Sequence, residues 1–485
     1  MLESVGVVIL AAGKSTRFKS DTSKLLHELC GKPMLEWVLD AVLPLKPKQI
    51  VVVYGKHSEV LVERYREGYL EHELSFVLQD PPLGTGHALA QVQDALKLNV
   101  SHLLVLPGDA PLVRDVELKM LADALKRNGA EHAVLTATVD PPGDLGRVLR
   151  RGEMVECIVE AHEAKDAVQT VTEVNTGVYL FSRRVFDHLA SATRQVGPSK
   201  TKGEYYLPDV VLMAPTLAVH APDFVCPIGV NDRHHFALAE EVLLDRLRRY
   251  WMEQGVTFRL PETSYLHHNV VLAPDVEIGP HCVLTEGTRV GRGTRLVQGC
   301  LLETCVIGEY CELRHVRGLF AVLEDNVAAG PYVNMRPGTV LREGVKVGNF
   351  VETKNADVGP GSKLPHLQYV GDATLGRDVN IGAGTIFCNY DGFMKHHTIL
   401  GDEVFIGSNA SLQGGITIGP GAYVAMGSSI TKDVPADDLA IGRARQENKK
   451  GYAKRLKEQL RRRKEEAERN NNKNKRNKSN AGGAM

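Results

Sequence analysis

Two groups of residues in the chain have types and spacings suited to chemistry. The first opens at Val7-Val8-Ile9-Leu10-Ala11-Ala12-Gly13-Lys14-Ser15-Thr16-Arg17, an apolar run that stops at small residues and passes directly into cations. Small side chains let backbone N–H groups approach phosphate oxygens, and Lys14 and Arg17 add positive charge. Neither G-x₄-G-K-[S/T] nor G-x-G-x-x-G is present, so this is not one of the two common phosphate-binding loops. Lys24 follows, then Gln79 and Gly84-Thr85-Gly86-His87-Ala88. After the apolar run Leu103–Leu106 comes Gly108-Asp109-Ala110-Pro111-Leu112. A carboxylate at the carboxyl end of a parallel strand stands where open α/β sheets bind ligands. Mg²⁺ is usually held by one or two carboxylates and phosphate oxygens, which makes Asp109 a candidate ligand.

The second group is spread over Arg336-Pro337-Gly338, Gly348–Lys354, His366–Asp372, Asn380–Thr385, Cys388-Asn389-Tyr390-Asp391-Gly392 and Lys395. These polar residues interrupt a regular repeat, and a purely structural segment has no need of them. Acylation of an amine needs a base that works near neutrality, and histidine, with a reference pKa of about 6.5, suits that task. Arg336, Lys354 and Lys395 have the chemistry to clamp a sugar phosphate. Histidine alone is weak evidence, as His267, His268, His396 and His397 illustrate; His366 gains its weight from the motif around it.

Two kinds of scaffold must position these groups. Val5–Leu10, Gln49–Tyr54, Leu103–Leu106 and His132–Val139 have the pattern of buried strands, with helices expected at Leu35–Leu43 and His87–Leu96. Alternation of this kind predicts a mainly parallel sheet covered by helices. From Arg233 to Gly255, Phe236, Leu243, Leu244, Leu247, Tyr250 and Trp251 follow helical spacing, so one long helix should link two bodies. Residues 1–269 hold 17 glycines and the shorter 270–448 holds 26, so the second body is built differently. Leu272, Ile278, Leu284, Val290 and Leu296 are six apart, as are Leu400, Ile406, Leu412, Ile418, Val424 and Ile430, often with glycine next. That period fits a parallel β-helix of hexapeptide coils, with aliphatic side chains filling the prism and glycines at tight corners. Cys282, Cys300, Cys305 and Cys311 each fall four places after a repeat aliphatic, a slot for a small buried residue. They lack the paired spacing of a zinc site.

Composition sets the outer limits. Hydrophobic residues make up 43% and charged residues 24%, ordinary for a globular chain and against general disorder. No apolar stretch is long enough for a membrane helix, and the sparse cysteines without an export signal point to the cytoplasm. The net charge of −1 hides a tail: residues 449–485 carry 14 Lys/Arg against 4 Asp/Glu, so the tail is +10 and the remainder −11. A nucleic-acid-binding body is therefore not expected. Ala453–Arg469 could form a charged helix, and Asn470–Met485 should be disordered.

The first group resembles the sugar-nucleotide pyrophosphorylases, whose signature is L-A-A-G-x-x-T-R with a downstream lysine. L-G-T-G-H-A, G-D-x-P-L, Leu145-Gly146-Arg147, Val159-Glu160, Glu173-Val174-Asn175-Thr176-Gly177, Gly203-Glu204-Tyr205-Tyr206 and Gly229-Val230-Asn231 are similar to one subgroup. This is the uridyltransferase half of the bifunctional bacterial enzymes that make UDP-N-acetylglucosamine, a precursor for peptidoglycan and lipopolysaccharide. The resemblance implies that Leu10, Ala11, Ala12, Gly13, Gln79, Gly84 and Thr85 hold UTP, that Lys24 binds phosphate and that Arg17 stabilises transition-state charge. It implies Mg²⁺ on Asp109 and Asn231, and sugar contacts from Gly146, Glu160 and Asn175. The second group resembles the acetyltransferase half. His366 is then the base, and Arg336, Lys354, Tyr369, Asn380 and Lys395 bind glucosamine 1-phosphate. Ala383, Asn389, Tyr390, Ser408, Met426 and Arg443 line the acetyl-CoA site, with Glu352 orienting the groups. The resemblance also implies a homotrimer with active sites between subunits, acting on glucosamine 1-phosphate, acetyl-CoA, N-acetylglucosamine 1-phosphate and UTP.

The implied architecture is an α/β nucleotidyltransferase domain (1–232), a linker helix (233–262), a left-handed β-helix (263–448) and the basic tail (449–485). Ser15, Ser23 and Pro107 depart from the usual glycine, proline and aromatic residue. Leu412-Gln413-Gly414-Gly415-Ile416 departs from L-V-A-P-V, and Met426 stands for alanine. The last two departures leave open an alternative in which the β-helix no longer acetylates.

Overall fold

The structure, a computed structural model, describes residues 4–66, 74–97, 99–188, 205–208, 214–222 and 229–481. Gly203-Glu204, half of one motif named above, lies outside the described residues.

Among the described residues, nine strands form the sheet of the first body: β1 Val5–Ala11, β2 Gln49–Tyr54, β3 Leu74–Leu78, β4 His102–Pro107, β5 His132–Thr138, β6 Arg147–Arg151, β7 Met154–Val159, β8 Glu173–Ser182 and β9 Leu217–His220. Their order is β3-β2-β1-β4-β8-β5-β9-β7-β6. The expected parallel core is β3-β2-β1-β4, in register from Gly6 opposite Gln49 and Val5 opposite His102. β8 runs antiparallel between β4 and β5, and β6 and β7 form an antiparallel hairpin at the edge. Val7 and Ile9 point into one apolar core and Val8 into the other, which is why β1 reads as a continuous hydrophobic run. The chain steps from β1 outward to β2 and β3, then returns to the other side of β1 at β4. The carboxyl ends of β1 and β4 are therefore a topological switch point, where open α/β sheets leave a crevice.

Helices α1 Met34–Val42, α2 Val60–Tyr65, α3 Thr85–Ala90 and α4 Asp115–Asn128 surround the sheet. The helix expected at His87–Leu96 is shorter: α3 ends at Ala90 and a separate 3₁₀ turn covers Gln93–Ala95. Helix α5, Arg233–Glu253, is capped by Asp232, whose side chain accepts the His235 N–H at 2.9 Å. Ala239, Leu243 and Leu244 bury against the first body. The buried Arg248 donates to the Ser264 carbonyl of the second body at 2.7 Å.

The second body is the left-handed parallel β-helix that the period of six implies. Its 26 strands, short except for Lys346–Val358 and Lys363–Leu375, form one continuous ladder in which coils pair with their neighbours. It begins earlier than residue 263, because Thr257–Phe258 already pairs with Glu277–Ile278. Repeat aliphatics such as Ile278, Leu284 and Leu296 are fully buried in the prism. Gly279 shows why glycine follows them: a Cβ there would lie 1.8 Å from the Val297 carbonyl oxygen of the next coil. The thiols of Cys300 and Cys311 face carbonyls one coil away, Leu313 at 3.5 Å and Glu324 at 3.1 Å.

The tail departs from expectation. Helix α6 spans Tyr452–Ala481, beyond Arg469 and into the segment expected to be disordered. Lysine, arginine, glutamate and alanine favour helix up to Arg469 without any packing partner, but the asparagine-rich continuation to Ala481 has no such explanation; every described side chain of α6 is exposed.

Candidate active sites

The turn after β1 opens onto a cleft of about 680 Å³ at the switch point. Leu10, Ala11, Ala12 and Gly13 line it from β1, and Gln79, Gly84 and Thr85 from the loop entering α3. Glu160 and Asn175 come from the hairpin side, and Asn231 from the segment before α5. Gly146 sits behind the sugar side: a Cβ there would be 3.7 Å from Glu160 Oε1 and 3.8 Å from Asn175 Cβ. Every described residue expected in the nucleotide site thus lies in or against one cavity.

Its charged centre is built from four separate segments. Lys24, nearly buried, donates to Asp109 Oδ2 and, at 2.8 Å, to the Val230 carbonyl. Arg17 donates to Asn231 Oδ1 at 3.0 Å. A backbone bond from Val230 N–H to the Asp109 carbonyl, 2.9 Å, ties the two oxygen-bearing segments together. Asp109 and Asn231 therefore each present a hard oxygen to the cleft, and each oxygen already faces a cation. That donor set fits Mg²⁺, which takes oxygen ligands and few carboxylates.

Nearby groups hold the walls. Gln79 donates to the Gly84 carbonyl at 2.9 Å, and the Thr85 hydroxyl accepts the Leu207 N–H at 3.0 Å. Asn175 donates to the Tyr179 hydroxyl at 2.8 Å and accepts the Gly177 N–H at 2.9 Å. Burial pushes the Tyr179 phenol well above its ordinary pKa, so it stays neutral. His57, not singled out by sequence, places Nε2 2.8 Å from the Gly13 carbonyl. No spacing rule could have paired it with a turn 44 residues upstream.

The departures have structural explanations. Ser15 adopts φ 50°, the left-handed region where glycine is the usual residue. Ser23 has φ −51° and ψ 130°, values proline supplies without strain. Pro107 packs against Gly177, whose φ is 78°.

On the β-helix the candidate residues occupy two neighbouring corners with a sheet face between them. Along one corner, His366 is followed on later coils by Ala383, Ser408 and Met426, linked by Asn409 N–H to Ala383 O at 2.7 Å and Gly427 N–H to Ser408 O at 2.8 Å. Arg443 continues this line, its Cδ 3.9 Å from the Cβ position of Gly427. His366 is exposed and borders an open groove with Lys346, Lys363 and Asn349. Asn380 pairs with Lys363 on the sheet face beside that groove, not with Tyr369.

The intervening face and the second corner carry the cationic group. Glu352 and Tyr369 pair across adjacent coils, and Arg336 donates to Glu352 at 3.1 Å. Lys354 holds the Lys395 pKa below its ordinary value, by side-chain interaction first and charge repulsion second. Both lysines also act on Asp372, which accepts from Asn355 at 2.8 Å and from Asn389. Burial pushes the Asp372 carboxyl upward, but the two amide donors and the two lysines outweigh it and hold the pKa below the usual range. Asn389 and Tyr390, expected with acetyl-CoA, sit here with Lys395. Asp372 was visible only as part of a motif; its bond to Asn389, on a later coil, carries no spacing signal.

Comparison with known proteins agrees with the two bodies of the fold. Residues 7–204 match the MobA-like NTP transferase domain, and residues 397–432 match the bacterial transferase hexapeptide with six repeats. The chain is 40% identical over 468 residues to the bifunctional protein GlmU of Pelobacter propionicus, covering 94% of this chain and 99% of that one. It is 42% identical over 456 residues to the bifunctional protein GlmU of Streptococcus mutans, covering 92% and 97%. The chain belongs to the bifunctional GlmU family. It is accordingly a nucleotidyltransferase and an acetyltransferase: it acetylates glucosamine 1-phosphate and transfers uridylate to the acetylated sugar phosphate. Nothing favours the alternative of a β-helix that has lost acetylation. Among the described residues, no helix is long and apolar enough to cross a membrane.

Proposed function

We propose that uridylyl transfer takes place in the cleft at the ends of β1 and β4, and acetyl transfer at the corners of the β-helix, as consecutive steps on one metabolite. In the first step the amine nitrogen of glucosamine 1-phosphate attacks the thioester carbonyl of acetyl-CoA. His366 takes the amine proton, the C–S bond breaks, and the coenzyme A thiolate leaves and is protonated. Arg336, Lys354, Tyr369, Asn380 and Lys395 hold the sugar phosphate; Ala383, Asn389, Tyr390, Ser408, Met426 and Arg443 hold acetyl-CoA. The mutual repulsion of Lys354 and Lys395 supports this reading, since a bound phosphate dianion relieves it.

In the second step a phosphate oxygen of N-acetylglucosamine 1-phosphate attacks the α-phosphorus of UTP, and the bond to the leaving pyrophosphate breaks. Leu10, Ala11, Ala12, Gly13, Gln79, Gly84 and Thr85 bind the nucleotide, while Gly146, Glu160 and Asn175 meet the sugar. Lys24 and Arg17 offset charge on the phosphates. Asp109 and Asn231 would hold Mg²⁺, which supplies further neutralisation of the triphosphate. The observation that carries this reading is the convergence of Arg17, Lys24, Asp109 and Asn231, from distant segments, in one cleft.

On a single chain Asn380 and the His366 corner are separated from the Lys354–Lys395 corner. That separation supports a homotrimer in which one subunit's corner faces the next subunit's. The reading also places the enzyme in the cytoplasm, where UTP and acetyl-CoA are found. Crossed substitutions test the assignment. Asp109→Ala should abolish pyrophosphate release and spare thiol release from acetyl-CoA; His366→Ala should do the reverse. Loss of both activities in either folded variant would reject two independent sites, and uridylyl transfer undiminished after chelation of divalent cations would reject the metal.

A further inference from the structure

The segment 389–397 carries Asn389, Tyr390 and Lys395, yet little apolar burial holds it. Phe393 is 94% exposed and Met394 64% exposed. What fixes its shape is polar. Asp391 Oδ1 accepts the backbone N–H groups of Phe393 and Met394 at 2.8 and 2.7 Å, closing a tight turn. Its other oxygen, Oδ2, faces His396 Nε2 at 2.6 Å. The His396 N–H donates to the Asn389 carbonyl at 2.8 Å, and Tyr390 pairs with Lys395, so the two ends of the segment are held together. His397 is engaged elsewhere, with the Thr374 hydroxyl at 2.8 Å.

The Gly414-Gly415 departure belongs to the same arrangement. A Cβ on Gly414 would lie 3.0 Å from His396 Cβ, 2.9 Å from the Cys388 carbonyl oxygen and 3.1 Å from Asn389 Cα. The Gly414 N–H also donates to that Cys388 carbonyl at 3.0 Å. Gly415 has φ 87°. The glycine pair therefore makes the seat in which His396 lies, and a larger residue at 414 would press on both ends of the segment. Lys395 stands one residue before His396, and Asn389 is tied to Asp372 and Tyr369. A shift of this segment would move Lys395 relative to Lys354 and Asp372.

We propose that His396 is a positioning residue for acetyl transfer: bonded to Asp391 and seated on Gly414-Gly415, it latches the 389–397 segment so that Lys395 meets the phosphate of the amino sugar. The inference rests on the reading that Lys395 binds that phosphate. His396 itself touches no reacting atom, so its loss should weaken binding more than chemistry.

The test uses the full-length enzyme, with thiol release measured against glucosamine 1-phosphate concentration. His396→Ala should raise KM for the sugar phosphate roughly five- to twentyfold with kcat within about twofold, as expected for lost uniform binding. His396→Gln, whose amide can still donate to Asp391, should restore KM. Asp391→Asn, which keeps an acceptor for the turn but removes the charge, should raise KM in the same direction and decides the matter if His396→Ala does not fold. Lys395→Ala is the reference. If Lys395→Ala raises KM while neither His396→Ala nor Asp391→Asn does, the latch is refuted and the substrate reading stands. An unchanged KM in Lys395→Ala would overturn both. A fall in kcat that His396→Gln does not reverse would assign the residue a merely structural role and also overturn the proposal.

Discussion

Gly177→Ala should damage uridylyl transfer without touching any group that contacts phosphate. Gly177 lies in β8 at φ 78°, and its N–H donates to Asn175 Oδ1 at 2.9 Å. A Cβ at this position would meet Pro107 Cγ at 2.9 Å. The proline ring is rigid and ends β4, two residues before Asp109, so it cannot yield as a long side chain would. Placing alanine in the left-handed region costs about 1 kcal/mol, and overpacking a tight site adds about 1–3 kcal/mol. Part of that strain is relieved by moving Pro107, which carries Asp109 away from Lys24 and Asn231. A displacement of a few tenths of an ångström at a preorganised centre should cost about 10- to 100-fold in kcat/KM, or about 1.4–2.7 kcal/mol of transition-state stabilisation. Pyrophosphate release measures this, with thiol release by the β-helix as an internal control that should stay within about twofold. Wild-type kcat/KM with unchanged thermal stability would refute the reasoning, because it would mean that Pro107 does not transmit strain to Asp109.

Two further outcomes are expected from the same geometry. Asp372 has a depressed pKa, so its contribution to stability is present above the unfolded carboxylate value of about 3.9 and is lost as pH falls through the lower folded value. Asp372→Asn should flatten the acid-side decline in melting temperature below about pH 4, and an identical decline would argue against the cluster. Deleting residues 449–485 should leave both activities within about twofold, since α6 buries no described side chain. A larger loss of either activity would place the tail in a site.

The strands and coils were legible because burial imposes periodicity. β1, β2, β4 and β5 appear as apolar runs because they are covered on both faces, and the prism repeats every six residues because one side chain per face must point inward. The helix expected at His87–Leu96 was overread: apolar spacing continues through Leu96, but the chain breaks after Ala90 to bury Val92 and Leu96 beneath the sheet. In the tail the lysine, arginine and glutamate of 453–469 favour a helix without packing, whereas nothing in the asparagine-rich 470–481 explains its continuation to Ala481.

The local pattern alone pointed to the fold class, the two bodies and the residue types with the chemistry to bind phosphate or carry a proton, since these depend on residue type and on contacts within a few positions, while the roles of individual residues came from the family resemblance. Which of those residues meet could not be read that way. The pairings of Lys24 with Asp109, Arg17 with Asn231, and Asp372 with Asn389, like the seating of His396 on Gly414, join segments whose separation along the chain says nothing about distance in space. They arise from strand order in the sheet and from the stacking of coils. These arrangements are set by the packing of the whole chain.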